Sequence, residues 1–338
     1  MSKHLIIATL LIHCVLAQRP VHFQHWYPRF SSDFEQILHN NCSTEFRKYL
    51  TEKPLECLNC LAADVVTCLL DIFDENGKAM LAVSGVLLGL LPTTLSLVGS
   101  SNVETGVLAL RRPLLACLLA LSSPAVSPIR TFEYHSPREL LQRRPDSYRV
   151  NSAELSRPAR IAISTAQYVC ATAAIVNVVH VTWEFSMRTV TAIAAVTEYL
   201  PGLWVATTVV IHVFGAWAVR LRTGILASEH GPTQRWRWYA REWRLSACQS
   251  KGTLQLKPES LSFIVVSWLA SALTVIHIVF GTVTLAGTLF ISPQDAIAVV
   301  ARFFASTFVC RAILMYEISG MRESILVQEA AVVTGKQD

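Results

Sequence analysis

The sequence predicts an all-α fold: a polytopic transmembrane helix bundle of about five spans after a signal peptide, with a small disulfide-bonded extracytoplasmic N-terminal segment. Three observations predict it. Only 16% of the 338 residues are charged against 52% hydrophobic, where a soluble globular chain has about 25% charged. The mean hydropathy is +0.41. The apolar residues also gather in runs long enough to cross about 30 Å of hydrocarbon at about 1.5 Å per residue. This composition excludes a disordered chain and argues against an ordinary soluble enzyme.

The chain opens on Lys3 and His4, followed by an apolar run from Leu5 to Leu16 and small residues up to Ala17. That order reads as a signal peptide over 1–17, cleaved after Ala17, and an uncleaved anchor would place residue 18 on the same side. The segment 18–78 carries nine acidic and six basic residues and four of the nine cysteines: Cys42, Cys57, Cys60 and Cys68. An even number of cysteines in an oxidising compartment predicts two disulfides, with the connectivity open. Asn41-Cys42-Ser43 is a glycosylation sequon, which fits the same compartment. Cys57 and Cys60 lack the second ligand pair of a zinc site and the βαβ context of a redox pair. Asp71 to Gly77 fails as a calcium loop, because counting from Gly77 puts Ile72 first and Val83 twelfth, where carboxylates are needed.

Spans are expected at about 79–98, 161–183, 199–219, 263–285 and 296–316, because backbone groups in lipid must be satisfied within a helix. The prolines at 113, 124 and 128 make the piece between them ambiguous, and charge decides its status. If it does not span, loop 99–160 with nine arginines and loop 220–260 with eight basic residues are both cytoplasmic, as the positive-inside rule requires. Residues 106–126 are then a re-entrant or interfacial segment at the inner leaflet. The N-terminus is outside or lumenal, on the secretory route to the plasma membrane or an endomembrane, and 317–338 is a cytoplasmic tail.

Gly85 and Gly89 form a GxxxG spacing that lets helices approach closely, either within the chain or in a homo-oligomer. His180, His212 and His277 lie on three spans. Depths counted along the spans let His180 and His277 meet near the outer face and leave His212 too deep, so a three-histidine metal site is not expected. An intramembrane polar cluster of His180, Glu184, Glu198, His277 and Arg302 remains, against the plainer reading that the carboxylates face water and Arg302 snorkels. In the second basic loop, Trp236, Tyr239 and Trp243 share one helical face and Arg237, Arg241 and Arg244 another. That is the composition of an interfacial helix on anionic inner-leaflet lipids rather than of a nucleic-acid binder. No P-loop, GxGxxG, GxSxG or HExxH is present, so the motifs imply no cofactor and no metal.

The run Val86 to Gly99, then Leu110-Arg-Arg-Pro-Leu-Leu-Ala116, then Ser123 to Arg130, resembles a group of uncharacterised multi-pass membrane proteins of filamentous fungi. The likeness covers mainly residues 80–135 and extends to Cys310 through Met321. It implies a shared membrane architecture and carries over no functional residue. The expected function is that of a non-enzymatic scaffold, sensor or accessory subunit of the lipid bilayer. A small transporter or channel using the outer polar cluster is the alternative, counted against by the lack of an internal repeat. A lipid-modifying enzyme built on His180, Glu184 and Glu198 is the third reading.

Overall fold

A computed structural model describes residues 22–51, 58–128, 155–226 except 194, 196 and 198, 242–249, and 253–334. The expected signal peptide at 1–17, and Cys57, Glu198, Trp236, Arg237, Tyr239 and Arg241, lie outside the described residues.

Three short helices, α1 (Ser31–Asn40), α2 (Ser43–Thr51) and α3 (Leu58–Ile72), form a cap. Its core is aromatic: Phe23, Trp26, Phe30, Phe34, Tyr49 and Phe73 are buried together. A disulfide joins Cys42 to Cys68, and Cys60 is disulfide-bonded as well. Asn41 ends α1 and is exposed.

Helix α4 (Glu75–Val98) begins at Asp74, whose carboxylate accepts from the Gly77 N–H, and leaves the cap with Leu81 still in the aromatic cluster. Its glycine pair meets the end of another helix of the same chain. A Cβ on Gly89 would lie 2.8 Å from the Cβ of Ala286, and one on Gly85 would lie 2.9 Å from the Ala286 carbonyl oxygen. The close approach is therefore used within the chain, where a homo-oligomer seam was the other expectation.

After α4 the chain breaks. Strand β1 (Ser100–Ser101) leads into α5 (Asn102–Arg111), Arg112 turns the chain, α6 (Pro113–Ser122) returns, and β2 (Val126–Ser127) pairs in parallel with β1. Ser101 and Glu104 close a capping box that starts α5. Pro113 starts α6, where its missing N–H is no loss. Gly99 allows the two unwound strands to touch, since a Cβ there would meet the Ala125 backbone at 2.8 Å.

The remaining long helices are α7 (Arg157–Arg188), α8 (Leu200–Arg222), α9 (Leu261–Ala286) and α10 (Pro293–Thr334). Between α7 and α8 lies β3 (Val190–Thr191), and after α8 comes β4 (Thr223–Leu226), which pairs with β5 (Thr253–Leu256). Strand β6 (Thr288–Leu289) pairs with β3 and delivers Phe290 into the aromatic cap. Phe290 has φ 66°, a costly left-handed conformation for a residue with a Cβ, and the rings of Trp26 and Phe34 hold it there.

Five helices, α4, α7, α8, α9 and the Pro293–Arg322 part of α10, are long and apolar enough to cross a membrane. Val86, Val169, Val213, Trp268, Ile276 and Phe308 point outward and are all more than half exposed. Such a surface is expensive in water and free of that cost in hydrocarbon. The architecture is that of an integral membrane protein. One boundary differs from the sequence reading. Residue 317 does not start a tail, because α10 runs on to Thr334 and buries Glu317. The segment around 106–126 is a helical hairpin packed inside the bundle against α7 and α8, the geometry of the re-entrant alternative rather than of a segment lying along a surface.

Candidate functional site

Polar side chains gather at three levels. Near the cap, Glu184 of α7 accepts from Arg188 at 2.7 Å and from Arg302 of α10 at 2.9 Å. Arg302 Nε donates to Asn177 Oδ1 at 3.0 Å, and its Nη2 donates to His180 Nδ1 at 3.0 Å. A guanidinium can only donate, so that imidazole nitrogen accepts. Arg188 also lies over the Tyr27 ring at 5.5 Å. Burial, then the Glu184 charge, pushes the Tyr27 phenol above its ordinary range. The structure thus brings His180, Glu184 and Arg302 together. His180 is 58% and Arg302 35% exposed in the side chain, so each ion pair here contributes about 1 kcal/mol or less. With both carboxylate oxygens held by arginines, Glu184 is poorly placed to act as a base.

His277 does not join that cluster, which corrects the sequence reading. It packs against α8, where its Nδ1 lies 2.8 Å from Thr207 Oγ1 and its ring stacks on Trp204 at 5.5 Å and 9°. Its Nε2 donates to the Pro124 carbonyl at 3.0 Å. The level along the span was counted correctly, since the Trp204 ring touches both His277 and Phe303, the neighbour of Arg302. Position around the bundle separates them: α9 packs on α8 and α4, and His277 faces Thr207 and the Pro124 carbonyl rather than α7.

The second level is this break. Gly89 meets Ala286, and Val98 lies about 14 Å further along α4, while Thr274 lies about 18 Å back along α9. Asn102 Nδ2 donates to Thr274 Oγ1 at 3.4 Å, so α4 unwinds near the middle of α9. One turn on, Thr105 Oγ1 lies 2.9 Å from His212 Nδ1. Ser123 bonds Thr307 of α10 at 3.0 Å. Trp204, Thr208 and His212 lie on one buried face of α8, and Thr274, His277 and Gly281 on the facing side of α9. Among the described residues, Asn102 Oδ1, Thr208 Oγ1 and Trp204 Nε1 are buried without a hydrogen-bond partner. Native interiors leave few such atoms.

The third level, at the end away from the cap, is fully dry. Arg112 has no exposed side-chain surface and pairs with Glu317 at 2.8 Å. Its guanidinium also donates to the Glu242 carbonyl, Gln167 and Ser164 at 2.9, 2.5 and 2.8 Å. Glu317 accepts further from Gln167 Nε2 at 2.7 Å and from the Ser246 N–H and hydroxyl at 3.0 and 2.6 Å. Glu242 is buried and accepts from the Leu115 N–H and the Tyr168 hydroxyl. Arg111 donates to the Ser246 carbonyl, and Arg311 pairs with Glu104 rather than snorkelling. This lock ties the α5–α6 turn to α7, α10 and residues 242–249.

Sequence reasoning missed the lock and the break. Of the tryptophan-arginine stretch, Trp243 is half exposed against the Tyr168 ring at 4.9 Å and Arg244 is exposed. Among the described residues, no three His, Cys, Asp or Glu side chains are arranged to hold a metal. No family model, no curated protein and no solved structure matches the chain.

Proposed function

We propose that the protein is a membrane carrier for a proton or small polar solute, and that the break in its first span is the substrate site. The observation that carries this reading is the pairing of two unwound strands near the middle of α9, with the buried, unpaired polar atoms of Asn102 and of Thr208, one turn from His212, close by. Unwound backbone at that depth is tolerated where it is buried in protein or lines a cavity, and discontinuous helices there mark transporter sites. The lock at Arg112 and Glu317 closes one end of the route. The polar site moves from the cap-side cluster, where the sequence placed it, to the break.

The basic residues of 99–160 and 220–260 support a topology with the cap outside or lumenal and the lock end cytoplasmic. In that frame Asn41 is glycosylated, the signal is removed, and Trp243 and Arg244 meet anionic lipid. The likeness at 80–135 supports kinship with the fungal multi-pass group. A scaffold or sensor is the second reading, favoured by the dry, fully paired guanidinium of Arg112, which fixes one end of the bundle rigidly.

Reagent access separates the two. In a background with Cys117, Cys170, Cys248 and Cys310 replaced by serine, Thr208→Cys in reconstituted protein should react with a small water-soluble thiosulfonate. A control cysteine at Val266, buried on α9, should stay inert. Equal inertness of both would retire the carrier and leave the scaffold.

A further inference from the structure

We infer that His277 is the proton-binding site of this break, taking up one proton at Nδ1 and releasing it again. The inference rests on the carrier reading for its purpose, and on a count of hydrogens for its argument. A carbonyl oxygen accepts only, so the contact to Pro124 fixes a hydrogen on Nε2. Thr207 Oγ1 then faces two acceptors, the His277 Nδ1 lone pair at 2.8 Å and the Trp204 carbonyl at 2.7 Å. A hydroxyl has one hydrogen. The neutral ring therefore leaves one of these two short contacts without a proton between its atoms.

Adding one proton completes the set. The Nδ1 lone pair takes a proton from a hydronium ion, which leaves as water, the new N–H donates to Thr207, and the Thr207 hydroxyl turns its hydrogen to the Trp204 carbonyl. The ring gains one positive charge and no other bond changes. That charge lies against the Trp204 indole, stacked at 5.5 Å, an arrangement that attracts cations.

The surrounding charges bear on this proton. From α8 the facing titratable group is His212, within electrostatic reach. Helix α4 offers no ionisable side chain over 79–98, and the 123–127 strand offers none. On α5, Glu104 is paired with Arg311, and on α10, Arg302 is paired with Glu184. A charge on His212 would repel one on His277, so a proton on one ring disfavours a proton on the other.

The test uses the full chain with isotope-labelled histidine in lipid bilayers, read by solid-state nitrogen NMR from about pH 8 down to about pH 4. One ring, missing from the His277→Gln spectrum, should pass from the neutral to the doubly protonated pattern. Thr207→Val should lower its proton affinity about tenfold, the effect of one hydrogen bond to a charged group. A His277 ring that stays neutral throughout would overturn the inference. So would a titrating ring indifferent to Thr207→Val, a variant that also serves if His277→Gln fails to fold. A titrating His277 in a protein whose position 208 is closed to thiol reagent would retire the carrier and keep the proton site. An open position 208 beside an unresponsive ring would do the reverse.

Discussion

Replacing Glu317 by glutamine tests the lock at its centre. The carboxylate accepts four hydrogen bonds, two at each oxygen, and neither it nor Arg112 has exposed side-chain surface. Glutamine keeps one acceptor oxygen and swaps the other for an NH2. If the oxygen stays on Arg112 and Gln167, the amide NH2 meets the Ser246 N–H, donor against donor. The Ser246 hydroxyl can rotate to accept, but its N–H cannot, and the guanidinium keeps its charge with no anion bonded to it. Removing one partner of a buried pair costs about 3–5 kcal/mol. At about 2–4 °C per kcal/mol in domains of 150–250 residues, melting in detergent should fall by roughly 10 °C. Replacing Arg112 and Glu317 together by methionine should cost less than either single change, because no charge is then stranded. The assay is thermal unfolding followed by intrinsic fluorescence across wild type, both singles and the double. A Glu317→Gln protein melting within about 2 °C of wild type, under 1 kcal/mol, would refute the claim that this site is dry and its charges interdependent.

Two further outcomes follow from contacts elsewhere. A Cβ on Gly281 would lie 2.2 Å from Trp204 Nε1, and an indole cannot bend away, so Gly281→Ala should cost about 1–3 kcal/mol and shift the tryptophan emission; unchanged melting and emission would show that α8 and α9 can separate freely. Tyr27 prefers its neutral form when folded, with its hydroxyl buried and unpaired. Its contribution is therefore present below the ordinary phenol range near pH 10 and is lost as pH climbs toward the raised folded value, since the unfolded chain loses its proton first. Tyr27→Phe should remove that part of the alkaline loss of stability, as read from melting at rising pH, and an unaltered alkaline limb would mean that water reaches the phenol.

The five long helices were legible because hydropathy reports lipid exposure directly, and the outward residues such as Val86 and Trp268 are those that need it. The cap was legible as a disulfide-bonded segment through its cysteines, of which Cys42 and Cys68 are bonded to each other. The break was not, although two local signals mark it: the Ser101–Glu104 capping box in an apolar region, and Pro113 directly after two arginines. Both announce helix starts. Arg112 reads as a loop residue because a charge count records the ion and not its partner, and that partner lies 205 residues away. Position around the bundle was also beyond the sequence. His277 was grouped with His180 because depth can be counted along a span, whereas which spans are neighbours cannot, and α9 packs on α8 and α4 rather than on α7.

The distance between Arg112 and Glu317 also sets an order in time. Synthesis proceeds at about 5–20 residues per second, so the 205 residues between them take roughly 10–40 s to make. Through that interval the α5–α6 hairpin carries a cation with no anion to meet, and burying it early is strongly disfavoured. The hairpin must therefore wait at the surface while α7, α8 and α9 are made, then enter last as α10 arrives. A nascent chain lacking Glu317 contains nearly all the apolar surface of the finished bundle and still cannot close it. Chains truncated after Tyr316 should insert and then be degraded, whereas their stable accumulation would show that closure needs no counter-charge. The buried pair thus acts as a completion signal, letting the bundle seal once its last helix is present.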